Sequence, residues 1–535
     1  MNFNPTHNPY PTTRVPHYAQ NGMVATSHPL AAQAGLAMLQ AGGNAVDAAI
    51  ATAACLTVVE PTSNGIGGDA FAIVWMKNEM FGLNSSGPAP QSINIDAVRA
   101  LGHGDMPKMG WTPVTVPGAP AAWAALSARF GALTLAQCLA PAINYAKNGH
   151  PIAPTVAKGW QRAYAAYKRL NGPEFAPWFD VFAPDDRTPQ AGEIWSSSHH
   201  ANTLSEIGET GAESFYRGRL ADEIASYSAK TGGFLTKSDL ESFQPQWVSP
   251  ISVNYRGYDV WELPPNGQGL VALIALNILK DYNFTEKDSP ATYHKAFEAM
   301  KLAFTAGKEF ITDPDHMKIP TKKFLSEEYA AMLRGRIGAT ALEPTPISPS
   351  TGGTVYLATA DGHGNMVSFI QSNYMGFGSG IVVPGTGIAL QNRGADFSLN
   401  PAHANALAGG KRSYHTIIPG FLTKNSTAIG PFGVMGGYMQ PQGHLQVIMN
   451  TLDFGHNPQA ALDAPRWQWI SDKMFHVEHS FPIHVAQELI DLGHRIQIPP
   501  ESGSFGRGQI IWRDPKTGVL CGGTESRCDG SIASW

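Results

Sequence analysis

A threonine that follows two glycines is the residue of this sequence with the clearest potential for chemistry. Thr354 comes directly after Gly352-Gly353 and begins the alternating segment Val355–Asp361, which is typical of a β-strand. A chain that cuts itself in front of a threonine needs such a flexible hinge, and the freed α-amine can then act as the base for the hydroxyl. A Gly-Gly pair before a strand is more often a simple loop, so other segments must decide between the two interpretations.

The composition of the 535 residues favours one large buried core and excludes several classes of partner. Charged residues make up 15% of the chain, against a usual value of about 25%. The formal net charge of −5 provides no basic surface for a phosphate backbone, so we expect no nucleic-acid partner. The apolar segment Ala45–Val59 is shorter than the roughly 20 residues of a membrane helix, so we expect no membrane partner. Because Met1–Gly22 lacks the layout of an export signal, we expect a cytoplasmic protein.

The cysteines and histidines do not indicate a metal site. Cys521 and Cys528 have six residues between them and no second pair nearby, which argues against zinc. His476 and His479 lie in a strand-like segment, where side chains three positions apart face opposite sides. The glycine cluster 64–69 follows a helix and precedes a strand, the reverse of what a phosphate-binding loop requires. We therefore expect neither a metal nor a cofactor.

The pattern of predicted elements changes near Thr354. Before it, apart from a hairpin at 70–75 and 81–84, the chain is mostly helical, with helices expected at 29–41, 45–59, 119–130, 135–148, 155–170, 201–210, 219–231, 270–281 and 291–310. After it, strands are expected at 355–359, 366–371, 387–391 and 416–422. The proline-rich segment Thr340–Gly353 between the two regions predicts an exposed linker.

Eight blocks of sequence between Gly22 and Gly437 follow one another in a specific order, within a resemblance that extends from Gly22 to Gly530. They are Gly22–Pro29, Gly42–Ala49, Glu60–Asp69, Val116–Gly118, Glu298–Phe304, Phe377–Gly380, Asp396–Ser398 and Met435–Gly437. Together they resemble the γ-glutamyltransferase family of N-terminal-nucleophile hydrolases. The resemblance implies an α+β fold, a four-layer αββα sandwich formed from two fragments of one self-cleaved precursor. These fragments would be residues 1–353, rich in helices, and 354–535, which carries the nucleophile, intertwined in one unit.

The resemblance also implies the reacting groups. The Thr354 hydroxyl would attack the carbonyl of Gly353 and form an ester, which water then hydrolyses. The new α-amine has an ordinary pKa of about 7.7–8, so it can accept the hydroxyl proton near pH 7–8. The backbone N–H groups of Gly436 and Gly437 match the family's oxyanion hole, where loss of one donor typically raises the barrier by about 3–4 kcal/mol.

The positions expected to hold an α-amino group keep only part of the usual family pattern. By the resemblance, Asp396 matches the acidic residue that binds the α-amino group of a γ-glutamyl substrate, and Asn373 matches one of the neighbouring amides. A third amide-type position is occupied by Arg393. A guanidinium binds a carboxylate through two hydrogen bonds, so one hypothesis is that Arg393 binds a substrate carboxylate next to Thr354. The alternative is a salt bridge between Arg393 and Asp396, and the two can coexist.

The positions expected to grip an α-carboxylate differ as well. Ser86 stands where the family has an arginine, and His415 and Thr416 stand where it has paired serines. The carboxylate clamp is therefore rebuilt or lost. Gln371 and Ser372 lie where relatives place a hydroxyl that assists self-cleavage, and the sequence leaves open which of them acts.

These residues predict a self-processing N-terminal-threonine amidohydrolase that acts on a small-molecule amide through an acyl-enzyme on Thr354. The acyl group is expected to be γ-glutamyl, as in glutathione, with an oxamate-type amidohydrolase or a glutaryl acylase as the alternative. An inactive binding relative of the same fold is a further alternative. By the resemblance, the stretch between Asp396 and Lys411 is short, which implies that the mobile lid of some relatives is missing and favours hydrolysis over acyl transfer. Besides its substrate, we expect the chain to associate through its own two fragments, with a homo-oligomer of the processed chain left open.

Overall fold

Two seven-stranded antiparallel sheets form the centre of the computed structural model, which describes residues 14–344 and 353–535. Sheet I contains, in spatial order, Ser531–Ser534 (β19), Gly22–Thr26 (β2), Gly353–Asp361 (β10), Met366–Tyr374 (β11), Asp69–Met76 (β3), Glu79–Ser85 (β4) and Gln246–Val248 (β7). Sheet II contains His17–Ala19 (β1), Leu520–Thr524 (β18), Arg507–Arg513 (β17), Thr427–Met435 (β13), Gly420–Lys424 (β12), Tyr258–Glu262 (β9) and Ile251–Tyr255 (β8). Smaller sheets pair His150–Pro151 (β5) with Ile194–Trp195 (β6), and join Trp467–Ser471 (β14), Met474–Val477 (β15) and Arg495–Gln497 (β16).

Helices cover the outer face of each sheet. Those before residue 245 are Pro29–Gln40 (α1), Ala45–Val59 (α2), Ile95–Ala100 (α3), Ala119–Phe130 (α4), Leu135–Asn148 (α5), Pro154–Tyr167 (α6), Ala176–Phe182 (α7), Ser198–Thr210 (α8), Glu213–Tyr216 (α9), Arg219–Lys230 (α10) and Lys237–Glu241 (α11). The later helices are Gly269–Leu279 (α12), Pro290–Phe310 (α13), Thr321–Phe324 (α14), Glu327–Arg334 (α15), Gln440–Leu452 (α16), Pro458–Asp463 (α17) and Ile483–Asp491 (α18). Helices α2, α4 and α5 pack in one core with sheet I, and α12, α13 and α16 pack in another with sheet II.

The side chains of β10 show how the layers are held together. Val355 and Leu357 face the helices outside sheet I, whereas Tyr356 and Ala358 face sheet II. On the inner side they share a core with residues of sheet II such as Phe421. Because successive side chains of a strand point to opposite faces, a strand such as β10 that is buried at every position after Gly353 must be covered on both faces. The layers are thus helix, sheet, sheet and helix, which confirms the predicted αββα sandwich.

Local sequence signals place the first helix pair correctly. The Asn44 side chain caps α2, and the Asp47 carboxylate accepts a hydrogen bond from the Asn44 N–H in a reciprocal capping box. Every residue of α2 is buried, and its many alanines allow close packing against α1 and α5. This helix is therefore a core element, as predicted, and no helix in the described part of the chain is long and apolar enough to cross a membrane.

Two strand predictions fail for identifiable reasons. The segment 387–391 forms isolated bridges and no strand, because Gly385 and Gly387 adopt positive φ angles of 73° and 70° that interrupt an extended chain. The strand predicted at 416–422 begins only at Gly420. The hairpin of β8 and β9 falls in a region predicted as mostly helical, although its two-residue turn, Arg256-Gly257, has the positive φ angles typical of a hairpin.

The two predicted fragments share both sheets. In sheet I, β10 lies between β2, which precedes residue 353, and β11, which follows it. Gly353 itself is the first residue of β10. Residues 345–352, the larger part of the predicted linker Thr340–Gly353, lie outside the described residues. The first 13 residues of the chain lie outside them as well.

Candidate active site

The hydroxyl of Thr354 belongs to a short chain of hydrogen bonds at the start of β10. Its Oγ1 lies 2.9 Å from Oγ of Ser372 on the neighbouring strand β11. The same Ser372 Oγ lies 2.7 Å from the carbonyl oxygen of Gly353 and donates to it. The N–H of Tyr374 also donates to Ser372 Oγ, at 2.8 Å. One serine therefore contacts both the predicted nucleophile and the peptide bond that it would attack.

The hydrogen bonds of Ser372 determine the direction of the proton on Thr354. A serine hydroxyl has one proton to donate, and Ser372 gives it to the Gly353 carbonyl. The Thr354 hydroxyl must then be the donor of the 2.9 Å hydrogen bond. The order is Thr354 to Ser372 to the Gly353 oxygen, which polarises the carbonyl and draws the proton away from the nucleophile. Between the two candidates left open by the sequence, Ser372 has this contact, whereas Gln371 bonds to Trp123, Ala53 and Asn64.

A buried carboxylate that the sequence did not single out lies beside Ser372 in sheet I. Asp69, the first residue of β3, is the cross-strand partner of Ser372. Its Oδ2 lies 3.0 Å from Nε2 of His415, and its Oδ1 accepts the N–H of Gly118 at 3.2 Å. Burial raises the pKa of Asp69 to about 7, although the charge of Arg393 acts in the opposite direction. Asp69 ends the block Glu60–Asp69, one of the eight that carry the family resemblance, but no role was predicted for its carboxylate.

His415 is neutral in this pair. Burial, reinforced by the positive charge of Arg393, lowers its pKa well below 6.5. The N–H of Ile417 donates to His415 Nδ1 at 3.3 Å, so the remaining ring proton is on Nε2 and is donated to Asp69. His415 thus fixes the start of the segment that carries Thr416, and it presents no free nitrogen to a substrate.

The predicted oxyanion glycines form the turn between β13 and α16. Gly436 and Gly437 have φ angles of 137° and 59°, which favour glycine. Within residues 14–344 and 353–535 neither of their N–H groups is used in a hydrogen bond. Gln268 fastens this turn from the other side, because its Nε2 donates to the Gly437 oxygen at 2.8 Å and to the Thr416 oxygen at 2.6 Å. Free N–H donors on a fixed turn before a helix are suited to stabilising an oxyanion.

A large open cavity connects the glycine turn with the predicted cleavage point. Its volume is about 830 Å³, and both Gly353 and Gly436 line it. Other parts of its wall come from Ser63, Met375 and Gly376. A small-molecule amide can therefore reach the region around Gly353 from solvent, as can the water that hydrolysis requires.

Arg393 is the most deeply buried cation of this region. Only 1% of its side chain is exposed, and its Nη1 donates to Thr416 Oγ1 at 2.8 Å. The guanidinium carbon lies 4.0 Å from the centre of the Tyr374 ring. The contact with Asp396 Oδ2 is long, at 3.5 Å, and Nε and Nη2 have no hydrogen-bond partner in the part of the chain that the structure describes. The predicted salt bridge to Asp396 is thus present but weak, and two donors of the guanidinium remain unsatisfied.

Asp396 already has donors of its own. Its Oδ1 accepts the phenol protons of Tyr374 at 2.7 Å and Tyr438 at 2.9 Å. Tyr438 directly follows the glycine turn, and Tyr374 pairs with Gly353 across the sheet. The two tyrosines connect the carboxylate to both parts of the reaction centre, and the sequence motifs predicted neither of them.

The other predicted binding residues have mainly internal partners. Ser86 bonds to Asn84 and Asn266 in a buried network. Asn373 follows Ser372 in β11, so its side chain lies on the opposite face of the strand. There its Nδ2 donates to the carbonyls of Phe377 and Ala389. Thr416 is the predicted residue that contacts Arg393 directly. The structure brings Thr354, Arg393, Asp396, Thr416 and the glycine turn into one neighbourhood. Ser86 lies in an internal network, and Asn373 has internal partners for Nδ2, whereas its buried Oδ1 has no partner among the described residues.

One cluster outside this site has side chains that could ligate a metal. His294, Glu298 and His494 are buried and offer three atoms within 4.8 Å of one another. The ammonium of Lys301 lies 2.6 Å from Glu298 Oε1, and His294 Nδ1 lies 2.9 Å from His494 Nε2. A lysine that already neutralises the carboxylate disfavours a second cation, so the cluster is better explained as an internal polar network.

Comparisons with known proteins agree over nearly the whole chain. A protein-family model described as Gamma-glutamyltranspeptidase matches residues 31–535. The glutathione hydrolase-like YwrD proenzyme of Bacillus subtilis is 36% identical over 521 residues, covering 95% of this chain and 97% of that protein. The oxamate amidohydrolase proenzyme of Klebsiella pneumoniae is 33% identical over 531 residues, covering 96% and 98%. A crystal structure of cephalosporin acylase from Bacillus halodurans is 61% identical, with a TM-score of 0.97 over 100% of this chain and 99% of that one.

Proposed function

Because the chain belongs to the gamma-glutamyltranspeptidase family, we propose that it is a self-processing amide hydrolase whose nucleophile is the hydroxyl of Thr354. The observation that carries this assignment is the hydrogen-bonded order from Thr354 through Ser372 to the Gly353 oxygen. Self-cleavage at this bond would produce the fragments 1–353 and 354–535, which stay together because they share both sheets. The names of the relatives, all proenzymes or acylases, support the same class of reaction.

Self-cleavage follows from these contacts. The Thr354 oxygen attacks the carbonyl carbon of Gly353, while Ser372 donates to the carbonyl oxygen and receives the hydroxyl proton. The C–N bond then breaks, the nitrogen of Thr354 takes up the proton, and the Gly353 acyl group is left as an ester on the Thr354 oxygen. Water hydrolyses this ester, which gives a carboxylate at Gly353 and a free hydroxyl and α-amine at Thr354.

The mature residue then repeats the reaction on a substrate. The α-amine accepts the hydroxyl proton as Thr354 attacks the substrate carbonyl, and it passes the proton to the leaving amine. The N–H groups of Gly436 and Gly437 stabilise the oxyanion when the acyl-enzyme forms and again when water hydrolyses it. The acyl-enzyme ends by attack of water, which reaches the site through the open cavity.

We assign the acyl group to the class that carries a free carboxylate and no α-amino group, with Arg393 as the residue that binds the carboxylate. The unpaired Nε and Nη2 of Arg393 are the feature that supports this choice, since a buried donor without an acceptor is costly. Asp396, the residue matched to α-amino binding, already accepts two phenol protons and faces Arg393. An oxamate or glutaryl amide therefore fits better than a γ-glutamyl amide. Hydrolysis of γ-glutamyl amides such as glutathione remains the second candidate, because Asp396 is present at the matching position.

A hydrolysis panel tests this proposal. Mature enzyme is incubated with oxamate, a glutaryl p-nitroanilide, a γ-glutamyl p-nitroanilide and glutathione, and product release is measured for each. We expect turnover of a carboxylate amide without an α-amino group to exceed that of the γ-glutamyl compounds. Turnover of the γ-glutamyl compounds alone would support the second candidate, and a processed enzyme that hydrolyses none would contradict the proposed activity. The cytoplasmic location and a homo-oligomer stay predictions.

A further inference from the structure

Lys308 is a cation near the candidate site that neither the motifs nor the mechanism uses. It lies in the last turn of α13, one helical turn after Phe304, whose ring packs against Tyr438. The ammonium of Lys308 lies 3.3 Å from the centre of the Tyr438 ring and 4.7 Å from that of Tyr414. Tyr438 follows the glycine turn directly, so Lys308 lies next to the segment assigned to oxyanion binding.

The ammonium of Lys308 has few partners for a group in such surroundings. Within residues 14–344 and 353–535 it makes these ring contacts but no hydrogen bond or ion pair. The residue is half-buried, so part of the side chain is accessible to a ligand. Burial lowers the pKa of Lys308 to about 8, against the opposing effect of Asp396. Aromatic faces compensate only part of the hydration that an ammonium loses.

The charges around Asp396 do not balance. Lys308 and Arg393 are two cations within electrostatic range of this one carboxylate, whose Oδ1 is already occupied by the phenols of Tyr374 and Tyr438. Arg393 keeps two unpaired donors, and Lys308 has no hydrogen-bond acceptor among the described residues. Lys308 and Arg393 therefore exceed Asp396 by one positive charge in a mostly desolvated setting, where attraction to an anion is stronger than in water. The second carboxyl that Arg393 influences, Asp69, is already bonded to His415, and burial raises its pKa to about 7.

We propose that Lys308 and Arg393 together bind the free carboxylate of the substrate's acyl group, which makes Lys308 a specificity-determining residue. The inference rests on the proposed function and extends it. It names the substrate class as monoamides of short dicarboxylic acids. An acyl group that carries an ammonium next to its carboxylate, as γ-glutamyl does, brings a third cation to the site and is bound less well.

A purely structural role for Lys308 predicts something different. If the lysine only packs on Tyr438, its loss disturbs the glycine turn and affects all substrates alike. If it binds the acyl carboxylate, its loss affects substrates with that carboxylate and spares those without it. Lys308→Met separates the two roles, because methionine retains an apolar stem over the ring and lacks the charge. Lys295→Met is the matched control, since Lys295 lies on the same helix and its ammonium contacts the ring of Tyr282, 4.6 Å from its centre.

The experiment compares two series of p-nitroanilides on mature enzyme. One series has the acyl groups of oxalic, malonic, succinic and glutaric acid, each with a free carboxylate, and the other has neutral acyl groups of the same chain length. The measured quantity is the ratio of kcat/KM between the best carboxylate substrate and its neutral counterpart. We expect Lys308→Met to lower this ratio by about 10- to 100-fold, the usual effect of a charge-assisted hydrogen bond, and Lys295→Met to leave it unchanged.

The pH dependence of the same ratio gives a second readout. The groups that interact with Lys308 are Asp396, His403 and the phenols of Tyr414 and Tyr438, and Arg393 contacts the same Asp396. The phenol pKa values are raised well above 10, and burial lowers that of His403 below 6.5. The ratio should therefore fall as the pH rises through about 8, where Lys308 loses its proton. The α-amine of Thr354 cancels in the ratio, because it acts on both series.

Each outcome decides between the possibilities. A lower ratio in Lys308→Met, together with normal self-cleavage and normal turnover of the neutral series, supports the inference. An unchanged ratio, or an equal loss in both series, overturns it and leaves the proposed hydrolase intact. If the self-cleaved wild type hydrolyses no member of either series, the proposed function fails and the inference fails with it.

Discussion

The hydroxyls of Thr354 and Ser372 are joined by a 2.9 Å hydrogen bond between adjacent strands of sheet I. The pairing of β10 and β11 is irregular between Gly353 and Val355, directly at Thr354. Ser372 also bonds to the Gly353 oxygen, so the nucleophile, a proton acceptor and the carbonyl to be attacked meet within one strand pair. Because both strands are central in the sheet and buried, this geometry is held before any cleavage occurs.

Replacement of Ser372 by alanine should slow self-cleavage. The variant loses both the acceptor for the Thr354 proton and the donor to the Gly353 oxygen, and a positioned acid or base typically contributes about 100-fold or more. The rate is measured by the appearance of two fragments on a denaturing gel. Ser368→Ala is the control, because Ser368 lies on the same strand and bonds instead to the hydroxyl of Tyr356. Equal cleavage rates in the two variants would exclude the relay through Ser372.

Replacement of Arg393 by methionine should weaken turnover of carboxylate substrates. We expect kcat/KM to fall by about 10- to 100-fold for these substrates, since a charge-assisted hydrogen bond is lost. Self-cleavage should continue, because Arg393 has no contact with the Thr354 and Ser372 hydroxyls. Steady-state kinetics on the carboxylate amide with the highest turnover provide the measurement. Unchanged kinetics would show that Arg393 serves only Asp396 and Thr416.

Replacement of Gln268 by leucine should loosen the glycine turn. The carbonyls of Gly437 and Thr416 would lose a donor, and each unpaired buried group costs about 1–3 kcal/mol of the free energy of unfolding. The kcat should fall as well, because the oxyanion donors are no longer held in place. Gln446→Leu removes comparable hydrogen bonds one turn or more into α16 and serves as the control. If both variants lose the same fraction of kcat, the turn is not specifically supported by Gln268.

The free energy of unfolding should fall in acid because of Glu525. Burial alone would raise its pKa, but Arg466 and Arg527 outweigh burial and lower it from 4.5 to about 2. A carboxyl with a lowered pKa in the folded state stabilises the fold above about pH 4.5, and this stability is lost as the pH falls toward 2. The expected loss is about 3 kcal/mol over that window.

Urea unfolding of the uncut Thr354→Ala chain at several pH values measures this effect. Glu525→Gln should flatten the dependence between pH 4.5 and 2, whereas Glu501→Gln, which removes a solvent-exposed carboxylate, should change it little. A steep acid dependence that persists in Glu525→Gln would assign it to other carboxyls. The ion pair of Glu525 and Arg466 also supports the candidate site. Arg466 donates to the carbonyl oxygen of Gly506, whose backbone packs against Gly436.

Local signals allowed most of the helical layers to be predicted. The helices α4 and α5 begin and end where their periodicity and caps indicate, because the Thr134 capping box and Gly131 act over a few residues. The strands of sheet II were largely missed, since their pairing joins segments that are far apart in the sequence, as β9 with β12. A strand buried on both faces also lacks the alternation that would identify it.

The site shows the same division. Thr354 and the glycine turn follow from a motif and an ordered resemblance, because nucleophile and backbone donors depend on local sequence. The surroundings of Asp396 could not be predicted in this way, because Tyr374, Tyr438 and Lys308 approach it from three separate segments of the chain. Asn373 illustrates the limit of alignment, because its position matches a family amide while the strand directs its side chain to the other face. Its role in substrate binding stays a prediction.

The intact mass of the expressed protein, with and without the Thr354→Ala substitution, tests the central claim most directly. For the wild type we expect two fragments, ending at Gly353 and beginning at Thr354, whose masses sum to that of the uncut chain plus one water. For Thr354→Ala we expect one uncut chain. A wild type that stays uncut, or cleavage between residues 353 and 354 that persists in the variant, would contradict the assignment of Thr354 as the nucleophile.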